Sequence, residues 1–332
     1  MREQSFPIAF AVVGYGRIGK RHASIIRELP GAGLGALVDT AAKTDPAADP
    51  TIPFFPSLDA LLASPVASRL DVIDITTPNG LHAAQACAAL EAGLNVVIEK
   101  PMALRSAEAG RIIRTAERVG KHVFVVMQNR YSDPARWLKQ LIDSGGLGRI
   151  FMVQMDCYWN RDQRYYTPKG WHGSRELDGG TLFTQFSHWV DMLYWLFGDI
   201  TNISARLGDF AHQGLTDFED SGLVSFDFVG GGMGSLNFST AVWDKNLESR
   251  LTIIAENGSV RIGGQYMERV EYCHCKGVIP PIPPTLAGSS DAHHRDLLRN
   301  VVDVLRGRAE CDIRATDGWK VVDIIERIYK SV

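Results

Sequence analysis

The sequence predicts an α/β chain in two parts: a doubly wound parallel sheet with helices on both faces, then an α+β domain built on a large, mostly antiparallel open sheet. Three observations predict it. Through residue 128 short apolar runs alternate with helical patterns, as in successive βαβ units. The first apolar run passes directly into a glycine-spaced turn and a helix. From residue 150 onward the pattern changes to short strands separated by turns, with few helices among them. The expected division is therefore residues 1–128 and 129–332.

Ile8 to Val13 reads as a buried strand that runs into Gly14-Tyr15-Gly16-Arg17-Ile18-Gly19 and a helix through Leu29. This is GxGxxG in the context it requires, with a strand before and a helix after. Gly14 makes the tight turn, Gly16 lets a pyrophosphate approach the backbone, and Gly19 lets helix and strand pack closely. The helix N-terminus at Arg17 and Ile18 then offers unpaired N–H groups to phosphate. The second strand, Leu34 to Val38, ends on Asp39, 20 residues beyond Gly19. A carboxylate there accepts hydrogen bonds from both ribose hydroxyls and repels a 2′-phosphate, which favours NAD over NADP. Together these features predict a Rossmann dinucleotide-binding domain.

Residues 40–56 hold four prolines and read as a surface connection with a short strand at Phe54 and Phe55. Ser57 then caps a helix at Leu58 to Leu62. The strand Asp71 to Ile75 opens into Thr76-Thr77-Pro78-Asn79-Gly80-Leu81-His82. Pro78 forces Thr77 out of helical geometry and fixes this loop at the strand's carboxyl end. Asn79 and His82 either line the cofactor site or cap the next helix. Asn95 to Ile98 is another buried strand, followed by Glu99-Lys100-Pro101. Pro101 cannot continue a ladder, and an amine at the end of a parallel strand sits where open α/β sheets bind ligands. On their own, Glu99 and Lys100 read equally as a solvated turn pair. A helix from Ser106 to Val119 and a strand from His122 to Met127 complete the first part.

In the second part, strands are expected at Ile150 to Tyr158, Ile203 to Phe210, Leu223 to Phe228, Met233 to Thr240, Arg250 to Ala255, Ser259 to Ile262 and Val270 to Cys275. Asp178 to Phe197 reads as one long helix that stops at Gly198. Thr181, Thr184, His188 and Asp191 fall three or four apart on it, along one stripe. A histidine on such a face is by default a hydrogen-bonded core residue. The preceding segment, residues 158–175, is rich in aromatic and cationic side chains, among them Arg161, Arg164, Tyr165, Tyr166 and Trp171. Aromatic faces stack on sugar or base rings and arginines grip diphosphate. A structural loop anchored by aromatics is the plainer alternative.

The totals narrow the field. A net charge of −3 without a long basic run argues against a nucleic-acid backbone or an anionic membrane as partner. Five cysteines without a framework spacing suit free thiols in a reducing cytoplasm. The apolar run at Ile8 to Val13 is too short to span a bilayer and leads into no cleavage site, so the chain reads as cytoplasmic and unprocessed. Cys273-His274-Cys275 looks like a metal cluster on paper, but strand alternation sends the histidine to the opposite face, so no metal is expected. His293 and His294 open a helix, Asp291 to Leu305, where they either fray into solvent or reach a ligand. Val278 to Thr285, with four prolines, reads as a surface linker.

Gly14 to Gly19, Asp39, Thr76-Thr77-Pro78-Asn79 with His82, and above all Glu99-Lys100-Pro101 resemble the Gfo/Idh/MocA family of glucose-fructose oxidoreductase and inositol dehydrogenase. Asp178-Gly179-Gly180 followed by His188 and Asp191 resembles the family's second motif, and Gln128 to Pro134 its crossing into the second domain. The resemblance implies an NAD-dependent oxidoreductase acting on a sugar hydroxyl, with Lys100 and His188 catalytic. It implies that Thr76, Thr77, Pro78, Glu99, Lys100 and Gln128 border the cofactor. It implies that Thr184 meets the substrate, where relatives acting on free polyols usually carry aspartate. The neutral residue points to a nucleotide-linked sugar, oxidised at C3, over a free aldose or polyol; a non-catalytic dinucleotide sensor is the reading from another class. The family pairs subunits through its open sheet, which implies a homodimer or homotetramer.

Overall fold

A computed structural model describes residues 6–40, 51–167, 170–265, 267–284 and 290–332. The chain forms two compact units, Met1–Val126 with Asp291–Trp319, and Met127–Ser290 with Lys320–Val332.

The first unit is built on β1 (Ile8–Val13), β2 (Ala32–Val38), β3 (Phe54–Phe55), β4 (Val72–Ile75), β5 (Asn95–Ile98) and β6 (Val123–Val125). All pairings are parallel, in the order β3-β2-β1-β4-β5-β6. Its helices are α1 (Arg17–Glu28), α2 (Leu58–Leu62), α3 (His82–Glu91) and α4 (Ser106–Val119). The central strands are aliphatic because both of their faces are covered, and Phe10, Val12, Val72, Ile73, Val96 and Val97 are each 0% exposed. The Ser57 cap is present, its hydroxyl accepting from the Ala60 N–H at 3.1 Å. The strand expected at Phe54 and Phe55 pairs with Leu37 and Val38. Most of the surface connection before it, residues 41–50, lies outside the described residues.

The division at residue 128 needs a correction, because α8 (Ser290–Leu305) returns to the first unit rather than staying with the second. Its Leu297, Leu298, Val301 and Val302 are buried, a stripe that stabilises by about 1.5–3 kcal/mol per side chain. Its polar flank is tied to α1, by Arg21 with Asp291 at 2.7 Å and by Arg295 with Glu28 at 2.6 Å. His294, which would fray into solvent on one reading of the sequence, is 1% exposed.

The second unit opens with α5 (Asp133–Asp143), capped by Ser132, and β7 (Ile150–Tyr158). Then come α6 (Thr181–Thr184), α7 (Ser187–Phe197), β8 (Ile200–Gly208), β9 (Ser221–Phe228), β10 (Met233–Ser239), β11 (Glu248–Ala255), β12 (Gly258–Gly263) and β13 (Arg269–Cys275). The sheet order is β13-β12-β11-β7-β10-β9-β8, antiparallel except for β7 with β10. One face buries Val153, Met155, Val224, Phe226, Leu236, Phe238, Leu251 and Ile253. The final helix, α9 (Ala315–Lys330), buries Val321, Ile324, Ile325 and Ile328 in the stripe read from the sequence.

The single helix expected over 178–197 is two. Backbone bonds from Gln185 and Phe186 both reach Thr181 O, and Phe186 leaves helical geometry. The break lets the Phe186 ring enter the core, 5.1 Å from Trp159 and 5.7 Å from Phe238. Tertiary packing thus overrides a continuous helical pattern. On β13, Cys273 and Cys275 share a side with their sulfurs 3.7 Å apart, while His274 is exposed, as alternation requires. All five cysteines are free, and among the described residues no helix is long and apolar enough to cross a membrane.

Candidate active site

The glycine loop after β1 is shaped by contact on two sides. Gly14 has φ +94°, and a Cβ there would meet the Thr76 carbonyl at 2.8 Å; a Cβ on Gly19 would lie 2.0 Å from the Gly14 oxygen. The Thr76 hydroxyl donates to that same oxygen at 2.7 Å, which locks the loop to the end of β4. Gly16 differs, since nothing stands within 4 Å of where its Cβ would be. It is also the N-cap of α1 and offers no side chain to the first N–H groups. An open backbone with uncapped donors, continuing through Arg17 and Ile18, fits an incoming diphosphate. Asp39 stands at the end of β2, and its Oδ2 accepts the Tyr15 N–H at 2.8 Å, which fixes the carboxylate beside the loop.

The loop after β4 is held from within. Thr77 donates to Gln85 at 2.6 Å, Pro78 is extended at ψ 142°, and Asn79 is 5% exposed. His82 does not offer a nitrogen to a ligand: it is 0% exposed, with Nδ1 2.8 Å from Pro101 O and Nε2 2.9 Å from Thr77 O. Its role is to join this loop to the segment after β5. Burial lowers its pKa, with the Pro101 and Thr77 carbonyls opposing.

Lys100 follows β5, is partly exposed, and precedes a cis Lys100–Pro101 peptide. Glu99 turns inward instead of toward the cofactor. It is 7% exposed, and its Oε2 accepts the Lys100 N–H at 3.0 Å. Burial pushes its carboxyl up, but bonds and charge from His22 and His294 outweigh this and hold it well below the usual range.

In the second unit His188 lies near the start of α7 and is 6% exposed. The Gln128 amide is 3.2 Å from its Nε2, so Gln128, expected at the cofactor, meets the imidazole. The group facing the ring is the amide nitrogen, whose N–H donates to Nε2 when the ring proton sits on Nδ1. One turn on, Asp191 is fully buried and pairs with Arg130, whose Nε and Nη2 reach it at 3.0 and 2.6 Å. Thr184, expected at the substrate, donates its hydroxyl proton to Asp178, through both the carbonyl and the carboxylate.

The aromatic segment divides. Arg164 is exposed and occupied by Asp162 and Asp244, and the Tyr166 ring is 3% exposed, packed on His212 and Phe218; both are removed from the substrate-facing set. Arg161, Tyr165 and Trp171 are half-buried and lie in one stack. The Trp171 and His172 rings are 3.7 Å apart, His172 and Tyr165 4.3 Å, and the Arg161 guanidinium lies 5.2 Å from the Tyr165 ring centre. Gln185 joins the last two, accepting from Arg161 Nε at 2.7 Å and donating to the Tyr165 hydroxyl at 2.8 Å. Sequence reasoning missed Gln185, His172 and Asp178, because only the break between α6 and α7 brings Gln185 to the stack. Pro168 and Lys169, within this segment, lie outside the described residues.

A parallel sheet carrying a strand–GxGxxG–helix unit, with Asp39 at the end of β2 beside the glycine turn, is the arrangement of a dinucleotide-binding enzyme. Residues 8–127 match the oxidoreductase family with the NAD-binding Rossmann fold, and residues 135–261 match the GFO/IDH/MocA C-terminal domain. The chain belongs to the Gfo/Idh/MocA family of oxidoreductases. Inositol 2-dehydrogenase of Streptomyces avermitilis is 31% identical over 331 residues, covering 96% of this chain and 90% of that enzyme. The 1-carboxy-3-chloro-3,4-dihydroxycyclo hexa-1,5-diene dehydrogenase of Comamonas testosteroni is 33% identical over 159 residues, and that match spans 48% of this chain and 40% of the enzyme. The crystal structure of the WlbA dehydrogenase from Bordetella pertussis, in complex with NADH and UDP-GlcNAcA, is similar at a TM-score of 0.89. It shares 33% identity and covers 98% of this chain and 96% of its own.

Proposed function

We propose that the chain is an NAD-dependent dehydrogenase of a nucleotide-linked sugar, oxidising a secondary alcohol at C3. The observation that carries this is the likeness to the WlbA dehydrogenase, whose complex holds NADH and UDP-GlcNAcA, over 98% of the chain. The neutral Thr184, bonded to Asp178, supports it, as does the stack of Arg161, Tyr165 and Trp171. Bound nicotinamide supplies the hydride acceptor. Gly14, Gly16, the α1 N-terminus and Asp39 hold the dinucleotide, with Thr76, Thr77 and Pro78 along its border. His188 takes the hydroxyl proton as general base. Lys100 donates to the same oxygen and stabilises negative charge as the carbonyl forms.

The subunits assemble as a homodimer or homotetramer through the second sheet. Met152, Met233 and Ile254 are 44%, 57% and 42% exposed and are direct cross-strand neighbours, Met233 and Ile254 each pairing with Met152. Such a row on an open sheet face favours a second apolar surface over water. The near full-length match to inositol 2-dehydrogenase favours a free polyol as the second reading.

One assay separates the two. NADH formation is measured with UDP-linked uronic acid sugars and with free inositol and glucose. The expected result is turnover of the nucleotide sugar alone, lowered about 10²–10⁴-fold in Lys100→Met and in His188→Asn, with NADH binding retained. Turnover of inositol with no response to the nucleotide sugars would overturn the reading.

A further inference from the structure

Two buried networks in the first unit end on the backbone around Lys100. On one side, Glu99 accepts the Lys100 N–H through Oε2, and its Oε1 lies 3.4 Å from Nε2 of His22 on α1 and 3.6 Å from Nε2 of His294 on α8. His22 is 0% exposed, and its Nδ1 is 2.9 Å from Oδ2 of Asp74 on β4, also 0% exposed. On the other side, the Pro101 carbonyl faces His82 Nδ1 at 2.8 Å. Burying this many ionisable groups is a costly way to pack a helix on a sheet, since aliphatic side chains of similar volume pack as well or better. What polar groups add is direction, because a hydrogen bond fixes an orientation that apolar contact does not. The group held in place is the peptide that carries the lysine.

We propose that His22, Asp74, Glu99 and His294 form a positioning network for Lys100, with His82 as a second anchor, and that they set how its amine projects from the end of β5. The inference rests on the assignment of Lys100 to the reacting hydroxyl. The network is internally balanced. Burial pushes the His22 pKa down, but the Asp74 and Glu99 carboxylates outweigh it and raise it to about 10, so the ring stays a cation between two anions. The same His22, Glu99 and His294 atoms lie within 4.8 Å of one another, a spacing that a divalent metal also uses, which makes a metal the competing occupant.

The test uses the full chain carrying His294→Leu, which fills the volume without a polar group facing Glu99, and His294→Gln, which restores one. Hydrogen exchange at the Lys100 amide, read by mass spectrometry on peptides covering residues 99–103, needs no substrate. Expected is exchange faster by about tenfold or more in His294→Leu and within about threefold of the parent in His294→Gln, with NADH binding changed less than about twofold in both. In turnover, kcat follows the exchange result while KM for the sugar stays constant. Unchanged exchange in His294→Leu overturns the network whatever the activity. A parent that oxidises no sugar, with the exchange result intact, leaves the network standing and removes only the role given to Lys100. Stoichiometric zinc in the purified parent, lost in His294→Leu, overturns the ion-paired network in favour of a metal centre.

Discussion

Gln128 and His188 are 60 residues apart in sequence, and the Gln128 amide lies 3.2 Å from His188 Nε2. A single amide therefore governs the tautomer of the proposed base. Gln128→Leu keeps the volume and removes the hydrogen bond, worth about 0.5–1.5 kcal/mol. The expected outcome is a kcat lowered about 3–10-fold with the NADH dissociation constant unchanged, in steady-state kinetics and fluorescence titration. An unchanged kcat would remove Gln128 from the site.

The three glycines of the turn are predicted to fail differently. Gly19→Ala drives a Cβ to 2.0 Å from the Gly14 oxygen, backbone against backbone, and is expected to cost about 3 kcal/mol or more of stability in urea unfolding. Gly14→Ala adds strain at φ +94° to a contact at 2.8 Å and behaves likewise. Gly16→Ala enters open space at φ −77°, so the melting temperature without cofactor stays within about 2 °C while NADH binding weakens about tenfold or more. Loss of folding in Gly16→Ala would mean the open space is needed by the fold and not by the ligand.

Arg130 and Asp191 form a bidentate pair with side chains only 5% and 1% exposed. Arg130→Met takes the guanidinium from a buried carboxylate and is expected to destabilise by about 3–5 kcal/mol. Replacing both partners, Arg130→Met with Asp191→Leu, recovers most of that. Chemical unfolding of the single and double variants reads the difference, and a double variant no more stable than the single would show that the pair does more than satisfy itself.

Glu219 predicts a pH dependence that has nothing to do with catalysis. It is 8% exposed, and its Oε1 accepts from the Tyr329 hydroxyl at 2.6 Å and the Thr181 N–H at 3.2 Å. Burial nevertheless raises its pKa from 4.5 to about 7. At Glu219 the folded state then binds more protons than the unfolded state between those values, so its contribution to stability is full below pH 4.5 and is lost as pH rises through about 7. The loss amounts to about 3–3.5 kcal/mol. Glu219→Gln keeps an acceptor for Tyr329 and should flatten the decline in urea titrations from pH 5 to 8; equal slopes in the two proteins would refute the assignment.

How far the sequence reaches depends on whether a feature is local. β5, β7 and the Ser57 cap were legible because alternation, aliphatic runs and capping residues are properties of neighbours in the chain. The helix break at Gln185 and Phe186 was not, because no proline or glycine marks it and its cause is the packing of the Phe186 ring on Trp159 and Phe238. The loop from Arg161 to Trp171 is aromatic and cationic by composition, yet composition cannot say that Tyr166 turns into the core while Tyr165 does not. His294 reads as a solvated residue at a helix start, and only the return of α8 to the first unit buries it.

That return has a consequence for biosynthesis. The parallel sheet is complete once residue 125 has been made, but the helix whose Asp291, His294 and Arg295 meet α1 and Glu99 is translated about 165 residues later, after every strand of the second sheet. A nascent chain emerging at about 5–20 residues per second must therefore wait roughly ten seconds or more with Arg21, Glu28 and the His22–Glu99 pair lacking their partners from α8. The two halves cannot mature as beads on a string; the first to leave the ribosome is among the last to be finished.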